Sequence, residues 1–185
     1  HIGRIILEDS SAMVAIHDNK LIEPMGLFYN EKYNIVILHS INSVPGTEWK
    51  IADMIKQLAN DLGAKEIICI EGVGSSADTD DSRVFYFTNN DAKDKAFKDM
   101  KVEPLQEGII MGVTSALLLK MENFPISCVF AESHSNLPDS KAAAKIIEVL
   151  DKYLHLEVDP KPLLDTAQKF EEKLKGIINS TSKAS

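Results

Sequence analysis

The sequence predicts an α/β fold, a mainly parallel sheet with helices on both faces and an antiparallel edge from an N-terminal hairpin. Three observations carry this prediction. Residues 107–139 read as one helix–strand–loop–helix unit. Residues 51–70 read as an amphipathic helix followed by an apolar strand. Residues 4–29 instead hold short β-like runs around a turn.

Within the first unit, Gly108-Ile109-Ile110-Met111-Gly112-Val113 continues into Thr114-Ser115-Ala116-Leu117-Leu118-Leu119-Lys120. An almost uncharged run of this length exceeds a typical strand and falls short of a membrane span. It is expected to be a helix buried on most sides, with Gly108 and Gly112 one turn apart to admit another backbone. Asn123-Phe124-Pro125 ends it, because the residue before proline is pushed out of the helical region. Residues 126–131 form a short apolar run, as in a parallel strand covered on both faces. The polar cluster Glu132-Ser133-His134-Ser135-Asn136 follows, and Asp139 caps a helix expected to reach about Leu154. Open α/β sheets bind ligands at the carboxyl ends of their strands, which draws attention to this cluster.

The remaining elements follow from local patterns. Residues 4–7, 13–17, 21–22 and 26–29 are β-like, and Asp18-Asn19 is a hairpin turn. Residues 33–38 read as a buried strand. Ile51, Ile55, Leu58 and Leu62 share one helical face, and Gly63 stands where a left-handed residue ends such a helix. Residues 67–70 form the next strand, which runs into Glu71-Gly72-Val73-Gly74. Residues 75–82 (SSADTDDS) read as an acidic loop. Residues 84–88 read as a strand, and Asp91 is expected to cap a short helix over 92–100. Asp159-Pro160 breaks the chain, after which Leu163, Leu164, Ala167, Phe170 and Leu174 mark a last amphipathic helix. Residues 1–178 are expected to form one domain, with 179–185 a flexible tail. The start at His1 looks like mid-domain sequence, so an N-terminal portion is expected to be missing.

With 185 residues, 44% of them hydrophobic, the chain is long enough for a substantial core. Its net charge of -8 and lack of a basic cluster argue against nucleic acid as a partner. No signal peptide or membrane span is evident, so a cytoplasmic protein is expected. Cys69 and Cys128 lie in apolar strand-like runs and are expected to be buried, reduced thiols.

Few residues suggest chemistry. Glu71 and Glu132 end two expected strands, either as a carboxylate pair or as separate acids bonded to their own loops. Gly72-Val73-Gly74 is a lone Gly-x-Gly without the third glycine and immediate helix of a dinucleotide fingerprint. Asp78, Asp80 and Asp81 follow it and would repel a phosphate. Ser133 and His134 are adjacent and project apart, and no nucleophile elbow exists. No histidine or cysteine pair has metal-ligand spacing, so neither a metal nor a cofactor is expected.

Several stretches, taken together, resemble the proteasome assembly chaperone 2 family, here of archaeal type. They are Lys65-Glu66-Ile67-Ile68 leading to Glu71-Gly72, a strand ending in Thr88-Asn89, and Gly108-Ile109-Ile110-Met111-Gly112 before Ala116-Leu117-Leu118-Leu119. Leu137-Pro138-Asp139-Ser140-Lys141-Ala142-Ala143 and residues 150–159 with Leu163-Leu164 complete the pattern. The match covers roughly residues 33–175. The resemblance implies a phosphorylase/hydrolase-like α/β sandwich. It also implies a homo-oligomeric assembly factor whose partners are its own copies and proteasome α-subunits. The family's first strand and glycine-rich turn are absent before His1. The chain ends Ser182-Lys183-Ala184-Ser185, without the hydrophobic-Tyr-any tail by which some relatives dock. The family is sometimes filed under the ATP-grasp heading, yet no lysine-bearing glycine loop is present.

Two functions are therefore carried forward. The first is a protein-binding scaffold, with Tyr153, Leu156, Phe170 and Ile177 as its candidate interface. The second is an enzyme on a nucleoside-phosphorylase-like fold, with Glu71, Gly72, Gly74, Asn89, Glu132 and Ser133 lining its cleft. Titration calorimetry with magnesium and ATP separates them. No saturable isotherm is expected at micromolar nucleotide, and a one-to-one isotherm would contradict the scaffold reading.

Overall fold

The computed structural model describes residues 1–8, 14–17, 19–41, 45–74, 83–133, 139–162, 164, 165 and 169. The elements run β1 (Gly3–Arg4), β2 (Ala15–His17), β3 (Lys20–Ile22), β4 (Met25–Asn30), β5 (Ile35–Ser40), α1 (Glu48–Asp61) and β6 (Ile67–Gly74). They continue through β7 (Val84–Thr88), α2 (Asp91–Asp99), β8 (Glu103–Pro104), α3 (Val113–Lys120), β9 (Ile126–Ser133) and α4 (Ser140–Leu154). They gather into two compact units, His1–Leu58 with Met111–Lys120, and Ala59–Ile110 with Met121–Ser185.

The first unit holds a three-stranded sheet in the order β1-β4-β5 and the separate β2–β3 hairpin. Alternation decides which side chains are buried, since successive residues of a strand point to opposite faces. Ile5, Leu7, Met25 and Leu27 pack with Ile51 of α1, and Val36, Leu38, Met54, Ile55, Leu58 and Val113 close around them. The hairpin forms where it was expected, with Ile16 opposite Leu21 and Asn19 in the left-handed conformation that such turns need. Beyond α1, Gly63 has φ +60° and its N–H donates to the Asn60 carbonyl, as its position predicts.

The second unit is built on a four-stranded sheet in the order β6-β9-β7-β8. β6 and β9 run parallel, from Ile67 opposite Ile126 to Gly74 opposite Ser133. β7 is antiparallel to β9, and β8 is parallel to β7. β9 is buried from Ile126 to Glu132, as its continuous apolar run predicts. On one sheet face Tyr86, Val129 and Ala131 meet Phe97 of α2 and Ala142 and Ile146 of α4. Phe97 is stacked between two rings, 4.6 Å from Tyr86 and 4.5 Å from Tyr153.

A carboxylate closes this core. Glu66, just before β6, accepts hydrogen bonds from Lys93 Nζ at 2.6 Å, Tyr153 Oη at 2.7 Å and Ser127 Oγ at 2.5 Å. One carboxylate, its side chain 10% exposed, thereby ties α2, α4 and β9 together, and three hydrogen bonds offset the cost of taking it largely out of water. The two cysteines are free and face each other across β6 and β9. The hydrogen bond that the Cys128 thiol donates to Cys69, and then burial, push that thiol up, so it stays protonated.

Several expectations need correction. The sheets are not mainly parallel, and β5 is a half-buried antiparallel partner of β4. A tight turn at residues 31–34, with Asn34 at φ 51°, joins the two strands directly, and a short link makes only antiparallel neighbours. Residues 75–83 are likewise too few for the crossover that would make β7 parallel to β6. Residues 108–112 are not helical. Gly112 takes φ +82°, α3 starts only at Val113, and Ile109 and Met111 are 90% and 76% exposed. The α2 cap is Asn90, whose Oδ1 accepts from the backbone of Ala92 and Lys93, and Asp91 is the first helical residue. Asp139 caps α4 as expected, accepting from the Ala142 N–H at 2.9 Å. Most of the last expected helix, and the tail at 179–185, lie outside the described residues. Among the described residues no helix is long and apolar enough to cross a membrane.

The Glu66 cluster has measurable consequences. Tyr153→Phe should destabilise the protein by about 1.5–3 kcal/mol, the size of one hydrogen bond to a charged group, read as a lower urea midpoint. The tyrosines also set an alkaline limit. Burial, then the hydrogen bond to Asp94, pushes Tyr86 up to about 12. Burial and Glu66 raise Tyr153 as well. A phenol kept protonated longer in the fold than in the unfolded chain adds stability that is fully present below about pH 10, its unfolded value. That stability should drain away as pH rises towards 12, and less steeply in Tyr86→Phe.

Candidate functional site

The parallel pairing of β6 with β9 brings two of the expected polar strand ends together. Val73 stands opposite Glu132 and Gly74 opposite Ser133, while Glu71 pairs with Phe130. Glu71 and Glu132 thus share a face, offset by two positions, with Cα atoms roughly 8 Å apart by strand spacing and rise. Their surroundings differ. Glu71 is half-buried. Glu132 is buried and held by Arg83 in a two-point clamp, Nη2 to Oε1 at 2.7 Å and Nε to Oε2 at 3.0 Å. The Glu132 N–H also donates to the Arg83 carbonyl, and the guanidinium lies over the Phe85 ring.

This clamp fixes what Glu132 can do. The carboxylate holds the Arg83 pKa above its ordinary value, first by the hydrogen bond and then by its charge. The two-point pairing engages both carboxylate oxygens of Glu132. The pair is a structural tie between the residue that precedes β7 and the end of β9.

Asn89 belongs to the other end of the sheet. Because β7 is antiparallel to β9, Asn89 sits beside Ile126, about 20 Å of strand away from Glu132. Its side chain donates to the Phe124 carbonyl at 2.9 Å and the Glu122 carbonyl at 3.3 Å, and accepts from the Ile126 N–H at 2.9 Å. It splices the turn before β9 onto the end of β7. Gly72 and Gly74 are extended strand residues, and a Cβ on either would meet nothing within 4 Å. They form no phosphate-cradling turn. Ser133 is the half-buried last residue of β9.

Of the expected interface, Tyr153 is half-buried, stacked on Phe97 and bonded to Glu66. Leu156 is half-buried after α4, its N–H donating to the Asp151 carbonyl. Phe170 and Ile177 lie outside the described residues. No group of three or more metal-ligating side chains occurs among the described residues.

Sequence reasoning missed Arg83, Glu66 and Lys93, because each matters through a partner 27 or more positions away. It also missed the exposed apolar residues of the first unit, including Ile2, Ile6, Ile16, Leu21, Phe28 and Ile37. Their alternation with buried neighbours was visible, but which face would stay open was not.

Comparison with known proteins adds the following. The profile of the PAC2 family matches residues 1–178. The crystal structure of Pyrococcus furiosus PbaA, an archaeal homolog of proteasome-assembly chaperone, superposes with a TM-score of 0.84 at 26% identity, covering 99% of this chain and 77% of PbaA. Pyrococcus furiosus PbaB, an archaeal proteasome activator, gives a TM-score of 0.72 at 23% identity, over 89% of this chain and 76% of PbaB. An uncharacterized protein of Methanocaldococcus jannaschii is 26% identical over 153 residues, which is 80% of this chain. The chain spans 62% of that relative's length.

If Asn89 is a splice and not a cleft residue, its removal should act on stability. Asn89→Ala is expected to cost about 1–3 kcal/mol through the lost backbone hydrogen bonds. Chemical denaturation checks this, and an unchanged midpoint would contradict the assignment.

Proposed function

The chain belongs to the PAC2 family, and from that premise we propose that it is a protein-binding assembly factor of the proteasome-chaperone type. It acts through its surface, as a homo-oligomeric scaffold, with proteasome α-subunits as its outside partner. Residues 1–178 are read as one functional module, and neither nucleic acid nor a membrane is among the proposed partners. The likeness to PbaA over 99% of this chain supports the reading.

The observation that carries it is the divergence of the polar strand-end residues. An enzyme aims several titratable groups at one desolvated point. Here Glu132 is neutralised by Arg83, and Asn89 is engaged at the opposite end of the sheet. An enzyme on this fold, the alternative reading, gains no support from that arrangement.

The test is binding to purified archaeal proteasome α-subunits, followed by native mass spectrometry or interferometry. A saturable complex is expected, resistant to moderate salt. No complex with α-subunits, together with turnover of a small nucleoside or phosphate substrate, would overturn the proposal.

A further inference from the structure

We propose that Cys69 and Cys128 are a reversible thiol–disulfide pair, closed by a peroxide, that locks strand β6 onto β9. The proposal goes beyond the partner reading above and does not depend on it.

Placement carries it. The two residues are direct partners in the parallel β6–β9 ladder, at the third of its eight paired positions. Partners in register project to the same sheet face, and neighbouring strands lie about 4.8 Å apart. That separation of the Cα atoms falls inside the range of about 4.4–6.8 Å that a disulfide spans. The side chains are also aimed at each other, since the Cys128 thiol donates a hydrogen bond to Cys69. The reacting sulfurs are therefore held together before any bond forms, which removes most of the entropic cost of forming it.

The Cβ atoms of such partners stand close to the strand spacing, slightly beyond the usual disulfide separation of about 3.5–4.5 Å. Closing the bond draws the two strands together at this point. A bond so placed is easily reduced, which suits a switch better than a permanent staple.

The two thiols are not equivalent. β9 lies between β6 and β7, and Cys128 is fully buried. β6 ends the order of its sheet, and Cys69 is half-buried. The oxidant therefore meets Cys69 first. The Cys69 thiolate attacks one peroxide oxygen, the O–O bond breaks, and the leaving hydroxide takes up the thiol proton as water. Cys69 is then a sulfenic acid. The Cys128 sulfur attacks Cys69 Sγ, the S–O bond breaks, and the leaving hydroxide takes the Cys128 proton as a second water. Two thiols are oxidised to one disulfide, and one peroxide is reduced to two waters.

What the bond holds is β6. Among the described residues its one strand neighbour is β9, whereas β9 is paired on both sides. A strand at the end of a sheet opens more readily than a central one. Tied at Cys69, β6 can open only by pulling on β9.

The test treats the reduced 185-residue protein with millimolar hydrogen peroxide, then blocks the remaining thiols with N-ethylmaleimide in urea. The expected product takes up no maleimide and is about 2 Da lighter than the reduced chain, the mass of the two hydrogens lost. Its unreduced peptide map should join residues 69 and 128, its far-ultraviolet circular dichroism should be unchanged, and dithiothreitol should restore both thiols. Amide exchange across residues 67–74 should slow at least about 10-fold in the oxidised form. Two thiols that still take maleimide, oxygen added to Cys69 without a bond, a bond between chains, or a bond that forms only with loss of the native spectrum would each overturn the pair. A bond that leaves exchange unchanged would overturn the lock. Cys128→Ala should leave Cys69 as a sulfenic acid that dimedone traps, whereas Cys69→Ala should leave Cys128 unmodified. The reverse order of reactivity would overturn the assigned roles. If either variant does not fold, brief peroxide treatment of the parent with dimedone present decides the roles, with label on Cys69 expected and label on Cys128 overturning them.

Discussion

The second unit depends on β9 being satisfied from every side. Both of its edges are hydrogen-bonded, to β6 along eight positions and to β7 along five. Its faces are buried from Ile126 to Glu132. A strand in that position cannot slip, because a one-residue shift would turn its whole apolar set to the other face. Two side-chain devices fix its ends. Asn89 binds the backbone where β9 begins, and Arg83 clamps Glu132 where it finishes.

That arrangement gives polar residues of promising type a structural task. Glu132 and Asn89 are each used to hold a strand end, and the antiparallel run of β7 keeps them apart. The Glu66 cluster repeats the principle on the helical side, where one carboxylate binds Lys93, Tyr153 and Ser127.

The surface differs between the units. In the first, one face of a three-stranded sheet is packed on α1 and the other carries exposed isoleucine and phenylalanine. Met111 adds a further exposed apolar side chain to the first unit, and the second carries Ile109, which is 90% exposed. Isolated apolar residues are ordinary on protein surfaces, but an ordered apolar sheet face is not.

Much of this was written locally in the sequence. The apolar run of β9, the helical spacing of Ile51, Ile55 and Leu58, the Asp139 cap, the Gly63 terminator and the turn at Asn19 each depend on a few neighbouring residues, and each appears where its pattern places it, whereas Leu62, expected on the same helical face, falls past the end of α1 and is 51% exposed. The order of soft motifs also pointed to the family. What the sequence left open was every fact that depends on pairing at a distance. Strand direction at β5 and β7 follows from how much chain is available to return. The helix expected at 108–112 fails because Gly112 adopts a left-handed backbone that breaks the apolar run into an exposed loop and a short helix. Arg83 with Glu132, and Glu66 with Lys93 and Tyr153, meet only because strands are laid side by side in one register. Local propensity is set by neighbours along the chain, whereas register, partner choice and the face left open are set by which surfaces can be buried together, and only the tertiary structure decides that.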